Sequence, residues 1–403
     1  MTQFPEWDYI LAGGGLAGLV MALKLQEKLG DFRALIIDRD PKKEDDRTWS
    51  YWTQHAEQLP DIAHQSWGNI MVYGREGEQH YSINPYRYYT VRGVDFYRYA
   101  QSRLQADERF SFLTDRIVDL NEGEGIIRTA EKGEHRAKWI FKSYFTLDDL
   151  SQIKKYNTLY QQFKGLVIET ERPVFRADTV TLMDFRAKRP GEGIRFNYVL
   201  PFSERKAMVE YTAFSPRLLP EMTYDVHLEW YLHEVLGIRE YQVHKSEFNV
   251  IPMTDYPFHS EAEGRVVEIG TIAGFVKGST GYCFTRTFEK LDRLTEDLRR
   301  GKDPRQSTLA SPHHFRLMDS ILLDIMCRDR VPADLIFTNL YSKIPTSLLF
   351  RFLDEKANPL DILRVMWACP SKEKFVSSMM SQLFQLATNR RPGGTRPFSF
   401  FPD

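Results

Sequence analysis

The chain has 403 residues, more than one simple core needs, so we expect two interleaved domains. Its 54 Lys and Arg residues balance 55 Asp and Glu residues, which leaves no global basic field to favour a nucleic-acid partner. Three scattered cysteines, no room for a signal peptide before the first strand and no apolar run of about 18–20 residues predict a cytoplasmic protein without a membrane span.

The first forty residues carry the pattern of a dinucleotide-binding βαβ unit. An apolar strand leads into a glycine turn, and an amphipathic helix follows over residues 16–28. Gly13 permits the tight turn, Gly15 lets the backbone approach a pyrophosphate, and Gly18 lets the helix pack closely on the sheet. A tight glycine turn without a ligand is the less favoured interpretation, because strand, turn and helix fall in register.

Further residues of this unit are predicted to contact the nucleotide. Leu16 and Ala17 open the helix, whose free N–H groups and positive dipole end would face the phosphates. Asp38 ends the next strand, where its carboxylate can accept the hydroxyls of an adenosine ribose, and Arg39 follows it. Because such units often open flavoprotein chains, FAD is favoured over NAD.

A polar loop then leads to Arg47, Thr48 and an aromatic cluster at residues 49–52. Arg47 could fold back onto the diphosphate. The aromatic side chains could wall a flavin or an apolar tunnel, or they could simply pack as core under a loop.

The following pattern divides the chain into a cofactor half and a strand-rich middle. Short strands are predicted over 66–91, a helix over 94–104, and two hairpins around the glycines at 123, 125 and 133. In the middle we expect an antiparallel sheet of about four or five strands, a helix and a returning strand: 165–169, 180–184, 194–200, 207–212, 228–236 and 240–251.

Residues 266–282 contain a buried strand and small-residue turns, and a helix over 288–300 follows, which predicts a second cofactor contact. From about residue 311 onward the pattern is helical, and these helices could close over a cavity, lie on a bilayer or pack ordinarily. His313 and His314 are adjacent on a predicted helix and point in different directions, so a metal site is not expected.

The predicted fold class is α/β (α+β). A Rossmann-like FAD-binding domain, residues 1–165 with 256–305, is interleaved with an antiparallel-sheet substrate domain, residues 166–255. Residues 306–403 form a helical region that serves as a lid or contacts a membrane.

Several motifs coincide, in order and spacing, with those of one protein family. The chain resembles the FAD-dependent lycopene cyclases, particularly the bacterial lycopene β-cyclases, over nearly its whole length. The matching motifs are Gly13–Gly18, Arg47–Tyr51, Met183–Arg186, Phe196–Pro201, Val209–Phe214, Ile251–Met253, Ile269–Gly274 and Ser279–Tyr282.

The resemblance implies an aromatic-hydroxylase-like flavoprotein fold and an isomerisation without net oxidation. In that reaction the acyclic ψ end groups of lycopene become β-ionone rings, as in γ-carotene and β-carotene. FAD would act in its reduced form, with NAD(P)H only as the reductant. A water-insoluble C40 substrate also implies peripheral attachment to the inner face of the cell membrane. Two alternatives stay open: an isoprenoid reductase or monooxygenase on the same fold, and a non-enzymatic prenyl-binding escort protein.

The resemblance also assigns roles to residues of the sheet. Glu210 stands at the family's essential acid, while Tyr211 occupies the position where the family often has a second acid. Strand alternation predicts that Met208, Glu210 and Thr212 share one face. Asp184 and Arg186 match the family's Met-Asp-Phe/Tyr-Arg motif, and they would serve the catalytic site or form a structural ion pair.

Two later segments match the family's flavin-contacting positions. Gly270, Thr271 and Gly274 match its strand end, where hydroxylases would carry Gly-Asp. Thr280, Gly281 and Tyr282 match its Thr-Gly-Tyr motif, but Gly278 stands where the family commonly has proline. That loop is therefore expected to be more mobile than in the family.

Overall fold

The computed structural model describes residues 6–145, 153, 156–186, 193–258, 264–307 and 309–388. The strands within these ranges are β1 (Trp7–Ala12), β2 (Ala34–Asp38), β3 (Thr48–Thr53), β4 (Gln65–Trp67), β5 (Asn69–Gly74), β6 (Gly77–Ser82), β7 (Arg87–Arg92), β8 (Phe110–Thr114), β9 (Ile117–Asn121), β10 (Ile126–Thr129), β11 (Gly133–Lys142), β12 (Thr158–Glu169), β13 (Thr179–Asp184), β14 (Ile194–Pro201), β15 (Lys206–Ser215), β16 (Gln242–Thr254) and β17 (Val266–Glu268). The helices are α1 (Leu16–Lys28), α2 (Gly93–Gln105), α3 (Glu221–Trp230), α4 (Phe284–Arg299), α5 (His313–Cys327), α6 (Ala333–Lys343), α7 (Thr346–Leu353), α8 (Pro359–Ala368) and α9 (Lys372–Thr388). A π-helical turn, Tyr231–Val235, continues α3, and 3-10 turns span Ala56–Gln58, Gly270–Ala273 and Pro304–Gln306.

The first sheet is the frame of the predicted dinucleotide-binding unit. Its strand order, over the described ranges, is β8-β2-β1-β11-β10-β9, and β17 also pairs with β11. The β8, β2, β1, β11 and β17 strands are parallel, while β9, β10 and β11 form the two antiparallel hairpins expected from the glycine pattern. Side chains of α1, α2 and α4, among them Leu19, Phe96 and Leu291, pack with this sheet in one core. The bounds predicted for the first helix, 16–28, are confirmed.

The second sheet is larger than the sequence predicts. Its order is β16-β12-β15-β14-β13-β5-β6 among the strands that the structure describes, and its pairs are antiparallel except for β13 with β5. The predicted boundary between residues 165 and 166 falls inside the continuous strand β12. Residues 69–82, expected in the cofactor domain, supply β5 and β6 to this sheet. The pairing of β5 with β13 joins distant segments of the chain, so local sequence carries no signal for it.

The two faces of the second sheet have different partners. Helices of the C-terminal region cover one face, where Phe196, Leu323 and Phe350 share a core. The other face is covered by α3 and the π-helical turn, with Tyr211 and Tyr231 in their shared core. The helical character predicted for residues after 306 is thus confirmed, while residues 389–403 of that prediction lie outside the described ranges.

Two helices begin earlier than their predicted limits. The helix expected at 288–300 begins at Phe284, because Phe284 and Thr287 are buried and extend its apolar face. The helix expected at 228–236 begins at Glu221, directly after Pro220, and its last predicted residues form the π-helical turn. Polar residues at these helix starts conceal the apolar periodicity on which the predictions rely.

A buried ion-pair network joins the loop before α4 to the C-terminal helices. The Lys277 ammonium is 2% exposed and lies 2.8 Å from Oδ1 of Asp319 and 3.3 Å from Oε1 of Glu355. Arg286 on α4 reaches the same Glu355 oxygen at 2.7 Å, and Ser279 donates to Asp319 at 2.6 Å. Burial opposes ionisation of Glu355, but Lys277 and Arg286 outweigh burial and lower its pKa. The network fixes the loop against α5 and the end of α7.

We expect Lys277→Met to lower the free energy of unfolding by about 3 kcal/mol, because it leaves Asp319 and Glu355 buried with less positive charge. Urea denaturation followed by circular dichroism measures this loss. Lys302→Met is the matched control, since the Lys302 side chain is 54% exposed where it pairs with Asp297, and its loss should be below about 1 kcal/mol. Equal losses in the two variants would contradict a structural role for the buried network.

Candidate active site

The glycine turn between β1 and α1 has the geometry of a phosphate-binding turn. Gly13 has a φ of 107°, and its N–H donates to the carbonyl of Ile37 at 2.8 Å. A Cβ at Gly18 would collide with the carbonyl oxygen of Gly13, so the helix packs where only glycine fits. A Cβ at Gly15, by contrast, would meet no atom within 4 Å. Gly15 therefore exposes bare backbone toward open space at the start of a helix that has no side-chain cap.

Asp38 lies against this turn, and its contact with a ribose stays a prediction. Its Oδ2 accepts the N–H of Gly14 at 2.6 Å, and its Oδ1 accepts the N–H of Asp40 at 2.9 Å. Lys42 stands 3.7 Å from Oδ1. These contacts orient the carboxylate, and each oxygen keeps acceptor capacity for a ribose hydroxyl. Arg39 follows as an exposed residue.

The Gly270–Ala273 turn packs directly on the start of α1. Gly270 has a φ of 74°, and a Cβ on it would lie 2.9 Å from the Cβ of Ala17. Gly274 closes the turn in the left-handed conformation and donates to Thr271 at 3.1 Å. The structure therefore brings together the two segments that were predicted to hold the cofactor. Leu16 and Ala17 are the helical residues at this junction.

Two unpaired polar atoms lie beside the second loop. Thr280 Oγ1 and Gln161 Oε1 are buried, and neither has a hydrogen-bond partner among the described residues. Gly281, with a φ of 78°, packs so closely on the Gln161 amide that a Cβ would collide with it. Buried polar groups normally find partners, so both atoms fit a bound ligand with hydrogen-bonding groups. The sequence reasoning missed Gln161, although two adjacent glutamines inside an apolar strand are a usable signal.

Arg47 and Thr48, at the start of β3 in a small sheet with the order β3-β7-β4, contact different groups. Arg47 pairs with Asp46 at 3.1 Å, and Tyr97 of α2 donates to the same aspartate at 3.0 Å. Thr48 donates to Glu247 of β16 at 2.8 Å. Contact of Arg47 or Thr48 with a cofactor stays a prediction. Glu247 was missed from the sequence, where its place among the charged residues of a predicted strand is the only signal.

An apolar cavity of about 430 Å³ lies between the second sheet and the C-terminal helices. Its walls come from β13, β14, β15, the loop at 279–282 and helices α5 to α9. The aromatic residues of the wall are Trp52, Tyr198, Phe214, Tyr282, Phe337, Tyr341, Phe352, Trp367 and Phe375. The helices therefore close over a cavity, one of the alternatives drawn from sequence. The aromatic cluster at 49–52 divides between core packing and the cavity wall. Tyr51 packs in the core beside the first sheet, and Trp52 lines the cavity.

Glu210 lies on the same side of the second sheet as this cavity, next to the lining residue Tyr198. It stands opposite Tyr198 of β14, and because opposite residues of an antiparallel pair point to the same face, its side chain lies on the cavity side of the sheet. The predicted alternation is confirmed: Met208 and Phe214 pack on this side, and Val209 and Tyr211 on the other. Burial and the charge of Glu247 raise the pKa of Glu210 to about 8, although Thr212 donates a 2.7 Å hydrogen bond to it.

The hydroxyl groups around Glu210 belong to tyrosines that remain neutral. Burial raises the pKa of Tyr88 to about 12, and it raises those of Tyr198 and Tyr282 well above their ordinary value. The hydroxyl oxygens of Tyr88 and Tyr282 lie 3.4 Å apart, and the Tyr282 ring contacts Trp52 edge-on at 4.3 Å. Glu210 therefore has a lower pKa than the tyrosines, and of these Tyr88 and Tyr198 are close enough to interact with its charge.

Asp184 and Arg186 do not join Glu210. Asp184 stands opposite Asn197, which pairs with Tyr211, so its side chain lies on the other face of the sheet. There it accepts two hydrogen bonds from the Arg186 guanidinium, at 3.0 and 2.6 Å, and one from Tyr231 at 2.7 Å. These contacts favour the structural ion pair over a catalytic role.

No group of three potential metal ligands occurs within the described ranges. His313 instead lies 2.7 Å from the Arg316 guanidinium, and His314 contacts the Phe315 ring.

Comparison with known proteins places this site in context. The family model described as "Lycopene cyclase protein" matches residues 8–382. The chain is 27% identical over 298 residues to a protein named lycopene beta cyclase, chloroplastic, from an Oncidium hybrid cultivar. That match covers 70% of this chain and 62% of the relative, so the chain spans less than two thirds of the relative's length.

Solved structures share the fold at low sequence identity. A geranylgeranyl bacteriochlorophyll reductase-like protein from Thermoplasma acidophilum superposes with a TM-score of 0.60 at 12% identity, covering 93% of this chain and 99% of its own. A tryptophan C-6 flavin-dependent halogenase from taromycin biosynthesis gives 0.59 at 11% identity, covering 93% and 100%. The fold is thus the aromatic-hydroxylase-like flavoprotein fold, as expected.

We expect Gly15→Ala to weaken FAD binding by on the order of tenfold or more, about 1.4 kcal/mol, because the new methyl group would occupy the side of the turn that faces the phosphates. Flavin fluorescence titration measures the affinity. Unfolding of the FAD-free protein should be unchanged, since the methyl group meets no protein atom.

Gly30→Ala is the matched control for this change, because a Cβ there also meets nothing within 4 Å, at the other end of α1. Equal FAD affinity in the two variants would contradict a phosphate site at Gly15.

Proposed function

This chain belongs to the lycopene cyclase family, and from that premise we propose that it is a lycopene β-cyclase. It would convert the ψ end groups of lycopene to β-ionone rings by an acid-initiated isomerisation without net oxidation. The observation that carries the proposal is a carboxyl group, Glu210, whose pKa of about 8 keeps it protonated beside an apolar cavity at neutral pH. An acid in this position suits a hydrocarbon substrate, which offers only an alkene to protonate.

The chemistry assigns a role to each part of the site. Glu210 would donate its proton to C2 of the end group, which leaves a tertiary cation at C1. Attack by the C5=C6 bond closes the ring, and loss of the C6 proton gives the β ring, so one proton enters and one leaves. The rings of Tyr198, Tyr282 and Trp52 offer π faces that stabilise a cation in a dry site.

The cavity is compatible with one end of such a substrate. Its volume lies within the range of small-molecule sites, about 300–1,000 Å³, which suits an end group rather than a whole C40 chain. The wall is mostly aliphatic and aromatic, and the exceptions include Ser279, Thr280 and Asp319 at one side. We infer that one end group enters while the rest of the chain lies toward the mouth.

We propose FAD as the cofactor, with NAD(P)H as its reductant. Gly13, Gly15, Gly18 and the start of α1 would hold the diphosphate, and Asp38 the ribose. The flavin end would be held by two segments, Gly270, Thr271 and Gly274 in the first and Thr280 and Gly281 in the second. There Thr280 Oγ1 and Gln161 Oε1 could form hydrogen bonds with the flavin. Bound in its reduced form, the flavin would supply negative charge beside the developing cation.

The alternatives have less support. A monooxygenase relative would carry aspartate where this chain has Thr271, and a reductase would consume one reductant for each product. An escort protein does not need Gly13, Gly15 and Gly18, all of which are intact and packed as a nucleotide turn.

We expect Glu210→Gln to reduce cyclisation by about 10²-fold or more while FAD stays bound, because glutamine cannot donate the proton. The measurement is anaerobic incubation with lycopene, FAD and NADPH, with products separated by chromatography and weighed by mass spectrometry. The wild type should give cyclic products of unchanged mass with far less NADPH consumed than product formed. Its rate should be lost as the pH rises through about 8, where Glu210 ionises.

Glu169→Gln is the matched control, since Glu169 ends β12 on the same sheet with its side chain 46% exposed. It should cyclise lycopene normally. Normal turnover by Glu210→Gln, or stoichiometric use of NADPH by the wild type, would refute the proposal.

We further propose peripheral attachment to the inner face of the cell membrane through α8 and α9. No helix in the described ranges is long and apolar enough to cross a bilayer. These two helices carry exposed apolar side chains: Leu360, Leu363, Met366, Trp367, Val376, Met380, Leu383 and Phe384. Four of them, Leu363, Met366, Trp367 and Val376, also line the cavity, so its mouth opens at this surface. The cysteines are free, which agrees with a reducing compartment.

We expect Leu363→Ser combined with Trp367→Ser to lower partitioning onto vesicles by about tenfold or more, because each buried apolar side chain contributes about 1.5–3 kcal/mol. Sedimentation with carotenoid-free vesicles of phosphatidylethanolamine and phosphatidylglycerol measures it. Met222→Ser with Val226→Ser is the control, since these residues are exposed at the same spacing on α3. A similar loss in the control pair would argue against α8 and α9 as the contact.

A further inference from the structure

A second carboxylate faces the same side of the sheet as Glu210. Gly165 of β12 stands directly opposite Glu210 of β15 on one side and Glu247 of β16 on the other. Residues that oppose one another across a ladder point to the same face, so both carboxylates lie on the cavity side. A Cβ on Gly165 would lie 3.5 Å from Cγ of Glu247 and 3.7 Å from Cβ of Glu210. The nearest atom to that position is the Met208 methyl carbon, at 3.0 Å. Glu210 and Glu247 therefore flank Gly165 on the same face of the sheet, together with the end of the Met208 side chain.

The two carboxylates differ in their partners. Burial raises the pKa of Glu247, but two contacts oppose this and favour its ionised form. The Lys245 ammonium lies 2.8 Å from its Oε2, and the Thr48 hydroxyl donates to the same oxygen at 2.8 Å. Lys245 also contacts Asp45 at 3.1 Å. Glu210 accepts a hydrogen bond from Thr212, and no cation lies within ion-pair distance of it in the described part of the chain. When the pair carries one negative charge, that charge therefore belongs on Glu247.

We propose that Glu247, whose negative charge Lys245 and Thr48 stabilise across Gly165 from Glu210, is the positioning residue that keeps Glu210 protonated. The inference rests on the proposed function, in which Glu210 acts as the acid. Glu247 touches no reacting atom in this account. Its negative charge disfavours a second negative charge on Glu210, as it does in any pair of close carboxylates.

The other groups that face Glu210 do not supply this charge. Thr212 on its own strand donates a hydrogen bond, which by itself lowers the pKa of Glu210. Tyr198 of β14 and Tyr88 of β7 are neutral, because burial raises their pKa values. Burial and Glu247, in that order, raise the pKa of Glu210. Removal of the Glu247 charge should therefore lower this pKa and leave the contribution of burial in place.

Position 211 cannot supply the negative charge that acts on Glu210. Tyr211 follows Glu210 in the chain, so it points to the opposite face, where its ring stacks on His227 at 4.6 Å. An acid at position 211 would lie on that face too. Glu247, the carboxylate that shares the face of Glu210, comes from β16, which β12 separates from β15.

The test is a titration of the Glu210 carboxyl group by infrared spectroscopy on the FAD-bound protein, with the band identified by its loss in Glu210→Gln. The wild-type midpoint should fall near pH 8. Glu247→Gln should move it lower by about one pH unit, because a like charge is removed. The alkaline limit of kcat/KM for cyclisation should move by the same amount.

Two further variants make the result decisive. Glu169→Gln removes an exposed charge from the same sheet and should leave the midpoint unchanged. Glu247→Asp keeps the charge and should keep the midpoint nearer to that of the wild type. An unchanged midpoint in folded Glu247→Gln, an equal shift in Glu169→Gln, or a Glu247→Asp midpoint equal to that of Glu247→Gln would each overturn the proposal. The titration uses no lycopene, so it stands or fails separately from the cyclisation assay.

Discussion

The proposed reaction places one constraint on this protein: a carboxyl group must stay protonated and still reach a hydrocarbon. Removal from water disfavours the ionised form of Glu210, and burial is the largest cause of its raised pKa. The C-terminal helices build the apolar cavity on the side of the sheet where Glu210 lies. In the proposed reaction, their cover would keep water from the apolar ligand. The sheet supplies the rigid strand on which the acid is held.

The two faces of the second sheet separate the acid from structural ion pairs. On the face away from the cavity, Asp184 is fully buried and satisfied by Arg186 and Tyr231. A cation as close as Arg186 on the cavity side would lower the pKa of Glu210 and favour its ionised form. On that side Glu247, paired with Lys245, instead lies across Gly165 from Glu210. The alternation of a β-strand thus keeps incompatible electrostatic environments about one strand thickness apart.

Sequence reasoning succeeds where a feature is local. The glycine turn, the limits of α1, the position of Asp38 and the alternation around Glu210 all follow from neighbours in the chain. It fails where partners are distant. The pairing of β5 with β13 carries no local pattern, and neither does the meeting of Glu247 with Glu210 across Gly165. The motif Met183–Arg186 shows a further limit, because a motif in one strand does not reveal which face of the sheet its side chains occupy.

The loop at 277–282 connects the buried polar atoms near Gln161 with the cavity. Gly281 packs on the Gln161 amide, and Thr280 Oγ1 and Gln161 Oε1 are buried without a hydrogen-bond partner in the described ranges. Tyr282 lines the cavity, and its hydroxyl lies near that of Tyr88. Gly278 was expected to make this loop more mobile, but the residues on either side of it are held in place. Lys277 forms an ion pair with Asp319, and Ser279 donates a hydrogen bond to it. Ion pairs buried in this way hold their geometry only when every partner is present. A cofactor bound by one side of the loop would therefore stand at a set distance from an end group bound by the other. Such a fixed distance is what electrostatic stabilisation of a short-lived cation requires.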